Sequence, residues 1–404
     1  MTSRPFEGIN ILDFTWTATG PASVNPLAFF GATVIKVESR GRFDALRSLG
    51  PFKDGIPEPE RSYSFAYTQA GKRLSITLNL SHPRGQEIIR KLVKWADIVT
   101  DSYVTGTMER WGLDYENLKK IKPDIIMMRT CMHGHTGPLA RQPGQGFILT
   151  ALSGVDSLIS WPDRAPSGAY GPFTDYVVPQ LNTISIIAAL DYRRRTGKGQ
   201  YIDQSQHEAT LGLISPLILD YTVNKRDITG HGNRRPDAAP HGIYRCKGQE
   251  RWCAVAVFTD AEWASFCKVI GKPSLAGNPK YNTLAKRKEN EDALDKLVEA
   301  WTVNHAPEEV MKLMQSSGVA AGLVSNARDM AEDPQFKHYN FFENREHPVQ
   351  KNIPFSHGPN FRLSNEEYEL GRSNLLGEHN DYVYTKILGF SDEEFVNLVA
   401  EGVI

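Results

Sequence analysis

The sequence predicts an α/β fold, a parallel sheet with helices on both faces followed by a smaller α+β domain. Three observations predict it. Short apolar runs alternate with segments of helical periodicity through the first half of the chain. Turns follow those runs at the places where a parallel sheet collects ligands. Around residues 224 to 240 the alternation gives way to charge, Gly, Asn and Pro, and a hairpin pattern comes next. A chain of 404 residues is long enough for two domains.

Residues 9 to 14 read as a strand, Gly20-Pro21 as the turn after it, 22 to 31 as a helix, and 33 to 38 as a second strand ending in Glu38. An acid in that place invites a dinucleotide reading, but only Gly20 stands in the first turn, so the fingerprint that admits a pyrophosphate is missing. Residues 43 to 60, rich in Gly, Pro and charge, read as a long surface excursion. Residues 75 to 78 form a short strand, and 85 to 95 a helix whose buried side carries Ile88, Ile89, Leu92 and Val93. Residues 97 to 100 and 124 to 129 are strands, with a helix through 108 to 111 between them. The last strand opens into a Gly-rich loop at 133 to 138, where His133 and His135 read as solvated loop residues.

The organising stretch runs from Gly171 to Glu208. Ile184, Ile186, Ile187 and Leu190 recur at helical spacing, which predicts a buried helix over 177 to 195 stopped by Gly197. Asp175 then stands at its mouth. On residue pattern alone an acid there is an N-cap or a partner of the helix dipole. Beyond residue 240, segments 243 to 246 and 252 to 257 read as a hairpin, and 260 to 270, 286 to 303 and 307 to 316 as helices.

With 46 basic against 47 acidic residues the chain has no global attraction for nucleic acid or an anionic membrane. A polyanionic ligand must be met by local basic groups. The cysteines, Cys131, Cys246, Cys253 and Cys267, lack C-x-x-C spacing, which points to ordinary thiols in a cytoplasmic setting and to no metal. Neither an apolar signal core near the start nor a run of membrane-spanning length is visible, so a soluble protein is expected.

Asp175, the helix ending Ala188-Ala189-Leu190 with Arg193, and Thr196-Gly197-Lys198-Gly199-Gln200 together resemble the class III CoA-transferases, the family of formyl-CoA transferase, carnitine CoA-transferase and the alpha-methylacyl-CoA racemases. The likeness also rests on 8 to 13, Thr19-Gly20-Pro21, 31 to 38, Gly112-Leu113 and 376 to 379, and so covers nearly the whole chain. It implies a Rossmann-like large domain, an interlocked dimer, and a split of 1–222 and 322–404 in the large domain with 223–321 in the small one. It also implies coenzyme A as co-substrate, with no dinucleotide, and makes Asp175 the nucleophile that carries CoA as an aspartyl thioester between two acids. Carried over position by position from the formate-activating branch, CoA contacts fall on Ala18, Thr19, Ser39, Leu78, Asn79, Ser102, Tyr103, Val104, Arg110, Gly144, Gln145, Gly146 and Phe147. Arg110 is the phosphate candidate among them, and Arg40 the replacement for a charge that Ser39 lacks.

Three departures bear on substrate. Ala18 replaces a Gln, Gly144 replaces a Lys, and Gly232-Asn233-Arg234-Arg235-Pro236 replaces a glycine-rich lid. Ala18 opens volume, and Arg234 with Arg235 could clamp a second carboxylate. The expectation is transfer from an acyl-CoA such as succinyl-CoA to a dicarboxylic or aryl-substituted acid such as benzylsuccinate, by a homodimer or by a heteromer with a homologous subunit. Two alternatives stand beside it. A racemase needs a His–Asp proton carrier where Gln145 and Gly146 stand. A structural partner subunit has no need of Asp175.

Overall fold

The computed structural model describes residues 4–168, 171–356 and 358–404. Its contacts divide the chain into two compact units, Met1–Asp156, Gly168–Asp227 and Lys337–Ile404 in the larger, and Ser157–Ser167 with Ile228–Phe336 in the smaller. The sequence reading puts the junctions at 222/223 and 321/322. In the structure they fall at 227/228 and 336/337, and the segment before Gly168 contributes to the smaller unit.

The larger unit runs β1 (Asn10–Phe14), α1 (Thr19–Phe29), β2 (Thr33–Glu38), α2 (Tyr63–Thr68), β3 (Arg73–Thr77), α3 (Pro83–Trp95), β4 (Ile98–Asp101), α4 (Thr107–Arg110), α5 (Tyr115–Ile121), β5 (Ile126–Cys131), α6 (Gly146–Leu152), α7 (Val155–Leu158), α8 (Phe173–Thr196), β6 (Tyr201–Ser205) and α9 (Gln206–Asn224). All six strands are parallel, in the order β3-β2-β1-β4-β5-β6. Both faces are buried, which is why the strands read as near-continuous apolar runs. Ile11, Val34, Ile98 and Ile126 pack with Val24 and Leu27 of α1 and Ile186 of α8 on one side. Their neighbours Leu12, Ile35, Val99 and Met127 pack with Ile88, Ile89 and Leu92 of α3 on the other.

Two expectations change. Gly20 and Pro21 lie inside the first turn of α1 rather than before it. Proline is tolerated there because the first-turn N–H groups have no intrahelical acceptor. The charged excursion at 43 to 60 is not wholly a surface feature, because Asp44 and Arg47 are fully buried. Lys36 Nζ reaches Asp44 at 3.0 Å, and Arg47 grips Glu38 twice at 2.9 Å and Glu60 at 2.9 Å. Charge in a sequence reads as exposure, whereas here the charges neutralise one another in the interior. Glu38 is thereby engaged on both oxygens, which removes the carboxylate that a dinucleotide ribose would need.

The tail of α8 has a direct physical reading. Gly197 takes the left-handed conformation that ends the helix. A methyl group on Gly199 would lie 1.9 Å from the Ile125 carbonyl oxygen, so the chain enters β6 through a gap only glycine can pass. Near the C-terminus, His379 Nδ1 accepts from Ser75 N–H at 3.1 Å and Asn380 Oδ1 from Thr77 N–H at 2.8 Å. His379, the last residue of the motif at 376 to 379, and its neighbour Asn380 therefore satisfy edge N–H groups of β3.

The smaller unit is an antiparallel sheet of β7 (His241–Arg245), β8 (Trp252–Ala256) and β9 (Ala320–Leu323). Its helices are α10 (Asp260–Val269), α11 (Leu284–Glu289), α12 (Glu291–Thr302) and α13 (Pro307–Ser316), followed by α14 (Ala327–Glu332) and α15 (Pro334–His338). The helix expected over 286 to 303 is broken at Asn290, which separates α11 from α12. Trp263, Phe266, Leu294, Val298 and Val310 form the core of this unit. A β10 (Phe342–His347) and β11 (Lys351–Ser356) hairpin and α16 (Asp392–Ala400) complete the larger unit. Among the described residues no helix is long and apolar enough to cross a membrane.

Candidate active site

The strand order reverses between β1 and β4, so a crevice opens beyond their carboxyl ends. Buried charge shapes its floor. Asp13 accepts from Thr15 N–H at 3.0 Å, Thr100 Oγ1 at 2.9 Å and Arg73 Nη1 at 2.7 Å. Arg73 in turn donates to Asn25 Oδ1 at 2.8 Å and to the Pro21 carbonyl at 2.5 Å, which ties the edge strand β3 to the first turns of α1. Thr17 has a positive φ of 60°, and its N–H donates to Asp44 at 3.1 Å. Holding a β-branched residue there costs on the order of 1–3 kcal/mol, which the surrounding hydrogen bonds offset. Gly20 is needed because a Cβ would lie 2.3 Å from that of Thr15. Trp16 N–H donates to Ser102 Oγ at 2.8 Å and so joins the two loops that border the crevice.

Asp175 lies in the first turn of α8. Thr19 Oγ1 of α1 donates to its Oδ1 at 3.0 Å. A Cβ on Gly146 would stand 2.8 Å from both Cγ and Oδ1 of Asp175 and 2.3 Å from Pro172, so α6 approaches the carboxylate as closely as a glycine permits. Burial pushes the Asp175 carboxyl up to about 6, with hydrogen bonds from Thr19 and Thr174 acting in the opposite direction. No charged side chain contributes to that shift. At pH 7 about nine in ten of these carboxyls are ionised, so the near-complete ionisation expected of an unperturbed Asp is reduced only modestly.

The structure brings Ala18, Thr19, Ser102, Tyr103, Gly146 and Asp175 to this crevice. Val104 is exposed beside them, while Gly144, Gln145 and Phe147 lie at the start of α6, where Phe147 is 59% exposed. Gly144 is pinned, since a Cβ would lie 2.3 Å from Met132 Sδ. Leu78 and Asn79 are placed otherwise. Leu78 is buried in the core and Asn79 N–H donates to Val403, both just after the edge strand β3. Their match to CoA contacts rests on sequence position, whereas here that stretch meets the chain's own C-terminus. Ser39 pairs with Arg42 across a tight turn, and Arg40 is exposed.

Arg234 and Arg235 belong to the smaller unit, and both guanidinium groups already have carboxylate partners. Arg234 reaches Asp292 and Asp295 at 2.6 Å each, and Arg235 reaches Asp237 at 2.8 Å. A substrate carboxylate clamped by these two arginines would therefore compete with the acids they already hold. The loop histidines are likewise engaged. His133 Nδ1 is 3.3 Å from His207 Nδ1, and His135, which is buried, is 3.0 Å from Asp203.

Two crevice residues escaped the sequence reading. Trp16, Tyr103 and Trp111 form a ladder of edge-on ring contacts at 5.7 and 5.6 Å. The guanidinium of Arg42 stands over the Trp16 ring at 5.5 Å, and among the described residues it has no carboxylate partner. Among the described residues the buried Trp16 indole N–H has no acceptor. The available signal was the placement of a large aromatic in the first strand-to-helix turn, with an arginine a few residues past β2. Unsatisfied donors and a cation over a π face suit an anionic, ring-bearing ligand.

The family profile described as CoA-transferase family III matches residues 6–380. Succinyl-CoA–D-citramalate CoA-transferase of Chloroflexus aurantiacus is 30% identical over 417 residues, covering 99% of this chain and 98% of that protein. The succinyl-CoA–L-malate CoA-transferase beta subunit of the same organism is 28% identical over 417 residues, covering 100% and 99%. The crystal structure of a CAIB/BAIF family protein from Brucella suis superimposes with a TM-score of 0.87 at 28% identity, covering 96% of this chain and 100% of that one.

Proposed function

The chain belongs to CoA-transferase family III and moves CoA between acyl-CoA and carboxylic acids, and from that premise we propose that Asp175 is the group on which CoA is carried. The observation that bears most weight is one partly buried carboxylate, without an ion-pair partner among the described residues, fixed by a hydroxyl at the mouth of a helix. Such a group remains ionised at neutral pH and is poorly solvated, which favours attack on a thioester carbonyl. Asp175 attacks the donor acyl-CoA to give a mixed anhydride and a CoA thiolate. The thiolate then attacks the aspartyl carbonyl, leaving an aspartyl-CoA thioester and releasing the donor acid. The acceptor carboxylate reverses the sequence and takes the CoA away. Thioester energy is kept throughout, so no nucleotide is consumed.

The residues beyond β1 and β4 suit coenzyme A. Arg42 and Arg110 can meet its phosphates, the Arg110 guanidinium being bound among the described residues only to Thr107 at 3.2 Å. The half-buried Trp16 ring can meet the adenine. On this reading Arg42, rather than Arg40, supplies the charge that Ser39 lacks. Succinyl-CoA is the proposed donor and a dicarboxylic acid the proposed acceptor, supported by the citramalate and malate in the names of the two relatives. Aryl-substituted members such as benzylsuccinate stay within the class because Ala18 is small. Gln145 and Gly146 give no proton carrier for racemisation, and Asp175 gives the chain a chemical role that a structural subunit would lack.

A second chain belongs to the same proposal, identical or homologous. Leu213, Leu219 and Val223 of α9 and Ile184 of α8 are each more than half exposed, an apolar surface that a lone subunit would leave in water. The four cysteines are free thiols, which accords with a cytoplasmic setting. The test is to incubate the protein with succinyl-CoA alone, trap with hydroxylamine or borohydride, and locate the modification by mass spectrometry. Modification at Asp175 is expected. Transfer without any adduct, or an adduct on another residue, overturns the proposal.

A further inference from the structure

Asp175 has two oxygens, and their surroundings differ. Oδ1 receives the Thr19 hydroxyl at 3.0 Å and lies against the Cα face of Gly146. Thr174 in the same turn also acts on the carboxyl. Thr19 is itself 3% exposed and rigidly placed. Its carbonyl accepts from Ser23 Oγ at 2.6 Å, and Ser23 is bound to α8 by Asn182 Nδ2 at 2.9 Å and Thr183 Oγ1 at 2.7 Å. Two hydrogen bonds from α8 thus hold Ser23, which in turn holds the Thr19 carbonyl, so the Thr19–Oδ1 contact is built into the packing of α1 on α8.

Resting on the reading of Asp175 as the carrier, we propose that the Thr19 hydroxyl is the oxyanion donor for both steps in which Cγ of Asp175 is attacked. Oδ2, the oxygen that Thr19 does not hold, bonds to the donor carbonyl carbon and expels the CoA thiolate. The thiolate sulfur then bonds to Cγ, and the electron pair of the Cγ–Oδ1 double bond moves onto Oδ1, where Thr19 already donates. Collapse restores that double bond and breaks the Cγ–Oδ2 bond, and Oδ2 departs in the carboxylate of the donor acid. In the return half an oxygen of the acceptor carboxylate adds to Cγ, the charge gathers again on Oδ1, and the thiolate is expelled. The thiolate next adds to the acceptor carbonyl and releases an Asp175 carboxylate that carries one acceptor-derived oxygen. In the anhydride and in the thioester Oδ1 is a neutral carbonyl oxygen, and it takes up nearly a full negative charge in each attack on Cγ, so the hydrogen bond strengthens toward the transition state.

Thr19→Val keeps the shape and removes the donor, and Thr19→Ser keeps the donor. Formation of the Asp175 adduct from succinyl-CoA without acceptor, followed by rapid quench and mass spectrometry, is the direct readout. Thr19→Val is expected to slow it by roughly 10²-fold, with Thr19→Ser within about tenfold of the parent. Cleavage of the preformed adduct by hydroxylamine, which also attacks Cγ, should slow in parallel. The acidic limb of the kcat profile should move to higher pH in the valine variant, since a donor to the carboxylate has been lost. Equal adduct rates in parent and Thr19→Val protein, or a loss that serine does not restore, overturns the role of Thr19 while leaving Asp175 as carrier. Absence of an adduct at Asp175 in the parent protein overturns the carrier itself.

Discussion

Replacing Asp175 with Asn should stabilise the protein while abolishing transfer, and the size of the effect follows from the site. The folded-state pKa of about 6 lies some 2 units above the ordinary 3.8, with burial as the cause. A group whose folded pKa is raised favours the folded state when protonated, so its contribution is fully present below about 3.8 and is lost as pH rises through about 6. Above that window the buried charge costs on the order of 3 kcal/mol, from 1.36 kcal/mol per unit. Asparagine is neutral at every pH and can still accept from Thr19, so this cost is removed. Thermal unfolding of parent and Asp175→Asn protein at pH 4.0 and pH 8.0, in matched low-salt buffers (pH values chosen to lie about 2 units either side of 6), is the assay. The variant should unfold several degrees higher at the upper pH and at nearly the same temperature at the lower one. No gain at the upper pH, or an equal gain at both, would refute the claim that burial of the charge raises the pKa.

Four other outcomes are expected. The kcat of the parent should fall to half near pH 6 on the acid side as Asp175 protonates, measured as a full pH–rate profile. Gly146→Ala should lower kcat by at least about 10²-fold with little change in fold by circular dichroism, because its Cβ would fall 2.8 Å from the reacting Cγ. Arg42→Ala should raise KM for the acyl-CoA donor roughly tenfold and flatten its salt dependence while leaving KM for the acceptor acid unchanged. Gly199→Ala should destabilise the larger unit by about 3 kcal/mol or more, read from chemical unfolding, since backbone at 1.9 Å cannot yield as a side chain can.

How much of the site was legible depended on the reach of each signal. The helix carrying Asp175 was visible through the spacing of Ile184, Ile186, Ile187 and Leu190 and the stop at Gly197, although it begins at Phe173, four residues earlier than periodicity suggested, and Ile184 and Ile187 are exposed rather than buried. The apolar stripe starts one turn into the helix, and the first turn, occupied by Thr174 and Asp175, faces Gly146 and Thr19 instead. Asp44 and Arg47 were read as surface because burial of a charge depends on partners that composition does not reveal. Arg234 looked available because its acids, Asp292 and Asp295, lie some sixty residues away in the chain.

The sequence by itself determined the alternation of elements, the two-domain division in outline, and the aspartate and glycines whose order identifies the family. Those are properties of one residue type at one spacing, and local chemistry writes them directly into the chain. Only the tertiary structure decided which arginine stands over Trp16, which hydroxyl meets Oδ1, and that burial rather than a neighbouring charge lifts the Asp175 carboxyl. Each of these depends on the packing of α1, α6 and α8, which joins residues more than a hundred positions apart (Thr19 to Asp175 spans 156), and distance through space is not encoded in any single stretch of sequence.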